Sequence, residues 1–492
     1  MLRGSVQEPR VLPRALVVFL LLLVCYGYFL PRSGDRDWVA TSRAALVYAL
    51  VDQGTVRIDA YHEPTGDKAF YRGHYYIVGS VGPSLLGVPA YALFRSIASL
   101  ARGDRRLQPG TEGYRRWALT WITLAVISVP SAALGALVFV FATQFVTRPG
   151  AAMAAALLHG LGTIAFPYSR AFYQHQVAAV GAFAGFYLIW EVARGRRSTR
   201  SLWGAGLLFG LAAICEYPFV IPLALIGAWA WRRVPRRGLY RVALGTLPPL
   251  LVSALYNLAA FGTPLPAGYR YHVVNAGAHA AGYMGMSTPS WSALYGITFS
   301  PYRGLFFLSP VLLLALPGLR RMTRGDDRER WLAALIAGLT VTCVLYNSAY
   351  VFWYGGASVG PRFLVPVLPF LAPPLAVAFE RCWRTRGGRV VAGALAAASI
   401  ANVWAQSIAG QYYPGADVER PLTEYALPRL RAGDVADNYG TLLGLSGWAS
   451  IVPLVVTLAA LGCSYLWLVA DRPPIARPAA PRRLPPPGGR PG

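Results

Sequence analysis

The sequence predicts an all-α polytopic membrane protein without a large soluble domain. Three observations carry this. The mean hydropathy is +0.42. Apolar runs of 16 or more residues recur along the chain. The 55% hydrophobic content stands against only 14% charged residues, and helices are the economical way to hide a backbone in lipid.

The first run, Ala15 to Leu30, follows Arg3, Arg10 and Arg14. No small-residue cleavage site follows it, so it reads as an uncleaved first span. Further apolar segments fall at 83–100, 117–145, 151–168, 172–193, 202–231, 242–262, 304–319, 331–351, 361–379, 388–408 and 447–470. Two of these, 117–145 and 202–231, exceed the roughly 20 residues that one span needs but fall short of two full spans. Pro130 and Pro218 lie near their middles, where a helix breaks most easily.

Arginines help place the ends. Clusters occupy 101–116, 194–201, 232–241, 320–330 and 380–389. Cytoplasmic loops carry such an excess, so all five are expected inside. Splitting 117–145 and 202–231 into pairs of short helices makes the map consistent; one long kinked helix in each is the alternative, and it violates the charge bias. The external parts are then 31–82, a turn near 167–174, 263–303, 352–360 and 409–446. The membrane domain spans 1–470, and the Pro- and Arg-rich tail 471–492 is expected to be disordered and cytoplasmic.

The net charge of +25 follows topology and not a nucleic-acid surface, because no basic soluble domain exists to carry one. Five cysteines lie in or beside apolar runs without a CxxC pair. They read as small buried residues.

Chemistry concentrates in the first external stretch. Six of the 21 carboxylates fall in 31–79, namely Asp35, Asp37, Asp52, Asp59, Glu63 and Asp67, together with Lys68, the only lysine. Thr41 or Ser42 is expected to cap a short apolar helix that ends before Gly54 and lies flat in the interface. Carboxylates here suit a general base toward a hydroxyl, or a divalent cation (Mg or Mn) held against a phosphate. A solvated loop with paired charges is the structural alternative. Two arginines, Arg303 after Tyr302 and Arg362 after Pro361, open apolar spans on the side that the charge bias disfavours. An arginine at that depth pairs with a carboxylate, a phosphate or a lipid head group, or else snorkels to the interface. His175 and Glu216 are ionisable residues at apolar positions, with interface hydrogen bonding and satisfaction of backbone groups near Pro218 as the structural alternatives. No P-loop, dinucleotide fingerprint, HExxH or serine-hydrolase elbow is present.

Seven segments in order carry a resemblance: SRAALVYALVDQGTVRIDAY, TGDKAFYRGHYY, GPSLLGVPAYAL, FPYSRAFYQH, YNLAAFGTPLPAGY, FSPYRGLFFLSPVLLL and WYGGASVGPRFLVPVLPF. Over most of 15–410 the chain resembles the GT-C superfamily of polytopic glycosyltransferases. The branch is that of the protein O-mannosyltransferases and the lipid A aminoarabinose transferase. The resemblance implies about 11–14 transmembrane helices. It also implies an extracytoplasmic active site in the bacterial plasma membrane, a polyprenyl-phosphate sugar donor and an envelope glycan, lipid or protein acceptor. By the resemblance Asp59 and Asp67 match the acidic positions, and Asp37 lies near a third. Arg303 and Arg362 match basic positions. One departure stands out. Many relatives carry a lysine shortly after the YY pair, where this chain has Gly79. Either Lys68 or Arg72 substitutes, or the donor is gripped differently, or the chain is inactive. A flippase of lipid-linked sugars and an inactive scaffold are the rival functions.

Overall fold

The computed structural model describes residues 8–31, 37–100 and 107–470. Asp35 and the tail 471–492 lie outside the described residues. The fold is a bundle of membrane-spanning helices with one small two-stranded sheet on one of its two faces.

In chain order the helices that matter are α1 (Glu8–Gly27), α2 (Trp38–Tyr48), α3 (Gly82–Leu100), α4 (Glu112–Ala142), α5 (Pro149–Leu161), α6 (Gln174–Ala193), α7 (Ser201–Cys215), α8 (Val220–Trp231) and α9 (Arg236–Phe261). Then come α10 (Trp291–Thr298), α11 (Ala315–Met322), α12 (Asp327–Ala349), α13 (Arg362–Cys382), α14 (Arg386–Ile408) and α15 (Val452–Ala470). Among the described residues, seven helical segments are long and apolar enough to cross a bilayer, and four shorter ones are apolar. The broken segment of Leu305–Leu308, Pro310–Leu314 and α11 completes the set. The wall that α9 and α15 turn outward is apolar, with Leu251, Leu255, Val455 and Val456 exposed. Lipid is the solvent that such a surface fits.

Interactions at the helix ends sort the loops into two faces. On one face Trp190 of α6 stacks on Trp229 of α8, with centroids 6.0 Å apart. There Arg233 lies over Trp331 of α12 at 5.8 Å, and Arg241 of α9 donates to Thr199 before α7. The backbone N–H of Thr147 donates to Glu380 at 2.7 Å. The arginines of 194–201, 232–241, 320–330 and 380–389 therefore share this face. The segment 202–231 is a broken pair, as expected. Glu216, with φ −142° and ψ 90°, ends α7 before Pro218. Gly206 of α7 and Gly245 of α9 let these two helices touch, since a Cβ on Gly206 would stand 2.1 Å from the Val242 carbonyl oxygen. Small residues serve this role between membrane helices.

The other long segment differs from expectation. Glu112–Ala142 is one continuous helix of 31 residues. Pro130 does not break it, because the turn just before it, Leu124–Ser128, widens into a π-helix. Such a turn absorbs the missing N–H and the ring clash. At 1.5 Å per residue α4 is about 46 Å long, well beyond a hydrocarbon core of about 30 Å. Its first turns therefore stand clear of the bilayer.

This relocates a second expectation. The segment 83–100 is not a span, and the described part of 101–116 is not on the arginine-rich face. Arg116 pairs with Asp437 at 2.9 Å, inside the loop 409–446. Helix α3 instead lies beside α2. Ser84 donates to the Arg43 carbonyl at 2.9 Å, Tyr91 to Asp52 at 3.0 Å, and Arg95 pairs with Asp52 at 3.0 Å. Leu93, Ile97 and Leu100 are left exposed along one side of α3, which makes α3 the interfacial helix. Helix α2 is not interfacial, because Ala44, Leu46, Val47 and Ala49 are buried on all sides. Its cap is Asp37, which accepts from the Ala40 N–H, and not Thr41 or Ser42. The helix ends at Gly54 in a left-handed cap (φ +66°), as expected.

With the five native cysteines replaced, Ser99→Cys and Ser198→Cys should react with a membrane-impermeant maleimide from opposite sides of the bilayer. Labelling of both from one side contradicts this topology.

Candidate active site on the face opposite the arginine clusters

The hairpin of strands Lys68–Tyr71 and His74–Ile77 turns through Arg72 and Gly73, both at positive φ (50° and 81°). Neighbouring strand residues point to opposite sides, and this separates two sequence neighbours. Asp67 faces the bundle. Its backbone is tied to α2, with the Ser42 hydroxyl donating to the Asp67 carbonyl at 2.6 Å. Lys68 faces outward, where its ammonium donates to the His62 carbonyl at 2.9 Å and lies over the Tyr75 ring. Partial burial lowers the Lys68 pKa, and Glu63 opposes that shift.

Asp59 also faces outward. It accepts from the Tyr75 N–H at 2.7 Å and meets His74 Nδ1 at 2.8 Å. Burial pushes its pKa up, but these two partners outweigh it and hold the carboxyl below the usual range. Asp59, expected as the leading carboxylate, is thus bonded within the hairpin surface. Arg72 is exposed at the turn, over Tyr71.

The inward set is different. Asp67 stands 3.9 Å from Arg43 of α2 and 3.7 Å from His272 Nε2. The segment after α9 returns to the hairpin edge, where Val273 N–H donates to the Lys68 carbonyl at 3.0 Å. His272 Nδ1 accepts from the backbone N–H groups of Val274 and Asn275, so its proton belongs on Nε2, toward Asp67. His279 stacks beside it, with centroids 5.5 Å apart. Arg43 is 4% exposed. One of its terminal nitrogens donates to the Val39 carbonyl at 3.0 Å, while Nε has no hydrogen-bond partner.

Arg362 opens α13 over the Tyr173 ring at 5.5 Å. Its Nε is buried without a partner, and among the described residues it makes no ion pair. Asp67 and Tyr350 lie within electrostatic range of it. Tyr173 donates to Asp37 at 2.9 Å, which brings the buried Asp37 to the same region. His175 Nδ1 meets Glu216 at 2.5 Å, both buried, and Arg362 and Arg43 are charged neighbours of His175. The structure therefore gathers Asp67, Asp37, Arg362, His175 and Glu216, and leaves Asp59, Lys68 and Arg72 on the outer side of the hairpin.

Arg303 has another task. It is fully buried, and its guanidinium donates to the carbonyls of Tyr354, Gly356 and Gly415 at 3.3, 3.2 and 2.9 Å. Tyr302 donates to the Ala416 carbonyl at 2.7 Å. Together they clamp the loops 352–360 and 409–446. Sequence reasoning missed Arg43 and His272. Arg43 carried a usable signal, as the lone charge in an otherwise apolar stretch of α2. His272 lies about two hundred residues from Asp67 and carried none. Among the described residues no three His, Cys, Asp or Glu side chains group to hold a metal ion. Asp67 and His272 alone are too few ligands for one.

No family model and no curated protein matches the chain. Among solved structures it is similar to ArnT from Cupriavidus metallidurans bound to undecaprenyl phosphate. The identity is 15%, over 95% of this chain and 73% of that one, with a TM-score of 0.46. It is also similar to the apo form of the same protein, at 15% identity over 77% and 60% of the two chains and a TM-score of 0.44.

Removing Arg303 leaves several buried carbonyls without a donor. Arg303→Ala should destabilise the protein by on the order of 3–5 kcal/mol, read as a lower unfolding midpoint in detergent. Arg303→Lys should not restore it, because one ammonium cannot span both loops. A pH effect follows from the histidines. Burial lowers His272, with Asp67 opposing, and burial together with His272 pushes His279 down to about 4 from an ordinary 6.5. Between those pH values the unfolded chain binds protons that the folded chain refuses, so stability falls as pH drops from about 6.5 toward 4. The slope should flatten in His279→Phe; an unchanged slope counts against the assignment.

Proposed function

We propose that this chain is a membrane glycosyltransferase of the inverting kind. It moves a sugar from a polyprenyl-phosphate donor to an envelope glycan, lipid or protein on the extracytoplasmic side of the bacterial plasma membrane. The observation that carries the reading is Arg362, a half-buried guanidinium that makes no ion pair among the described residues. It opens a span on the arginine-poor face, with the Asp67 carboxylate in its field. A cation at head-group depth answers a lipid phosphate, and a reachable carboxylate beside it answers a hydroxyl. The ordered resemblance to the GT-C glycosyltransferases points the same way, and the positive-inside bias makes the arginine-rich face cytoplasmic.

In the reaction, the acceptor hydroxyl oxygen bonds to the anomeric carbon of the sugar. The carbon–oxygen bond to the phosphate breaks, and its electron pair leaves with the polyprenyl phosphate. The hydroxyl proton passes to Asp67, which His272 and Arg43 hold in place. Arg362 stabilises the charge that develops on the leaving phosphate. Asp37 orients Tyr173 beneath Arg362.

The test is transfer of labelled sugar from a panel of polyprenyl-phosphate sugars to an envelope extract, with the purified protein in nanodiscs. Transfer should fall at least about 100-fold in Asp67→Asn, while Asp59→Asn stays within a few-fold. Full transfer by Asp67→Asn would remove its role. Donor binding without transfer would favour the flippase or scaffold.

A further inference from the structure

We infer that Arg43 is the second half of the phosphate grip, and that it works from the space left open by Gly79. The inference rests on the proposed lipid-phosphate donor and names residues that would hold it.

A guanidinium in the protein interior demands partners on all its N–H groups. Arg43 is almost wholly buried, yet its hydrogen bonding is incomplete. One terminal nitrogen serves the Val39 carbonyl. Asp67 sits at 3.9 Å, the outer edge of an ion pair. Nε is buried and unpartnered, and the other terminal nitrogen points at Gly79, where an added Cβ would stand 3.3 Å from it. The Tyr269 hydroxyl is 3.7 Å from the same point. Gly79 itself is only partly buried, so the spot is reachable from outside. Arg362, also short of partners, has Asp67 and the buried His175 as electrostatic neighbours in common with Arg43. The incompletely bonded Arg43 and the Tyr269 hydroxyl flank one residue without a side chain, and Arg362, a second guanidinium short of partners, acts on the same Asp67; together they offer a cradle for an oxyanion. A phosphate with several acceptor oxygens is the ligand class that this fork geometry matches.

The arrangement explains why glycine suits position 79. A side chain there would enter the space that Arg43 uses. It also predicts an exchange. A lysine at 79 projects to the point now served by Arg43, so it should replace the charge when Arg43 is removed. A merely structural role for Arg43, such as holding Asp67 or α2, would not be restored from that position.

The experiment measures binding of farnesyl phosphate, farnesol and inorganic phosphate to the full chain in nanodiscs. Wild type should prefer farnesyl phosphate to farnesol by at least about 10-fold, the worth of one charge-assisted contact. Arg43→Ala and the bulkier Arg43→Gln should both lose that preference, and Arg43→Ala/Gly79→Lys should regain most of it. Equal preference in wild type and in either single variant overturns the role of Arg43, as does failure of the double variant to exceed Arg43→Ala while remaining folded. Absence of any preference in wild type defeats the donor reading itself. Equal affinity for inorganic phosphate would make the site a free-anion site and defeat the lipid source.

Discussion

A guanidinium taken out of water must be met by oxygen, and much of the outer half of this molecule is arranged around that demand. It is met in two ways. Arg303 is met from within, by carbonyls of two loops that it pulls together. Arg43 and Arg362 are met only in part, by one carbonyl, a distant carboxylate and aromatic faces. The first is finished structure. On the proposed function the second pair is a binding site in waiting, because incomplete bonding at such depth is costly unless a ligand supplies the rest.

The placement of these arginines follows from the first external region. Helix α4 is too long for the bilayer, so its start stands on the face opposite the arginine clusters beside α3, where Arg116 reaches Asp437. Helix α3 then covers α2, and α2 becomes a buried element. That burial carries Arg43 inward. The hairpin closes over the top and splits its charges, with Asp67 inward and Asp59 and Lys68 outward. The segment after α9 adds His272 from the far side. No single stretch holds the site; five separate stretches meet at it.

Much of this was legible in the sequence. Hydropathy and the charge bias located most spans, including the broken pair at Glu216 and Pro218, and four of the five arginine clusters share a face as expected. Arg362, Asp67, Asp37, His175 and Glu216 were singled out as residues and do gather. The misreadings have physical causes. Pro130 suggested a break because proline usually makes one, but a π turn just upstream accommodates it. The arginines at 115 and 116 looked cytoplasmic because the bias counts charges and cannot see Asp437. Lys68 looked like the replacement for an absent lysine because it is near in sequence, yet strand alternation turns it away. Arg43 was passed over as part of an apolar helix, although the argument applied to Arg303 and Arg362 applied to it equally.

The most direct test of the account is a cryo-EM map of the full chain in nanodiscs with a polyprenyl phosphate. Phosphate density is expected between Arg43 and Arg362, within hydrogen-bonding distance of both and beside Gly79. Phosphate density on the outer side of the hairpin, at Lys68 or Arg72, would contradict it.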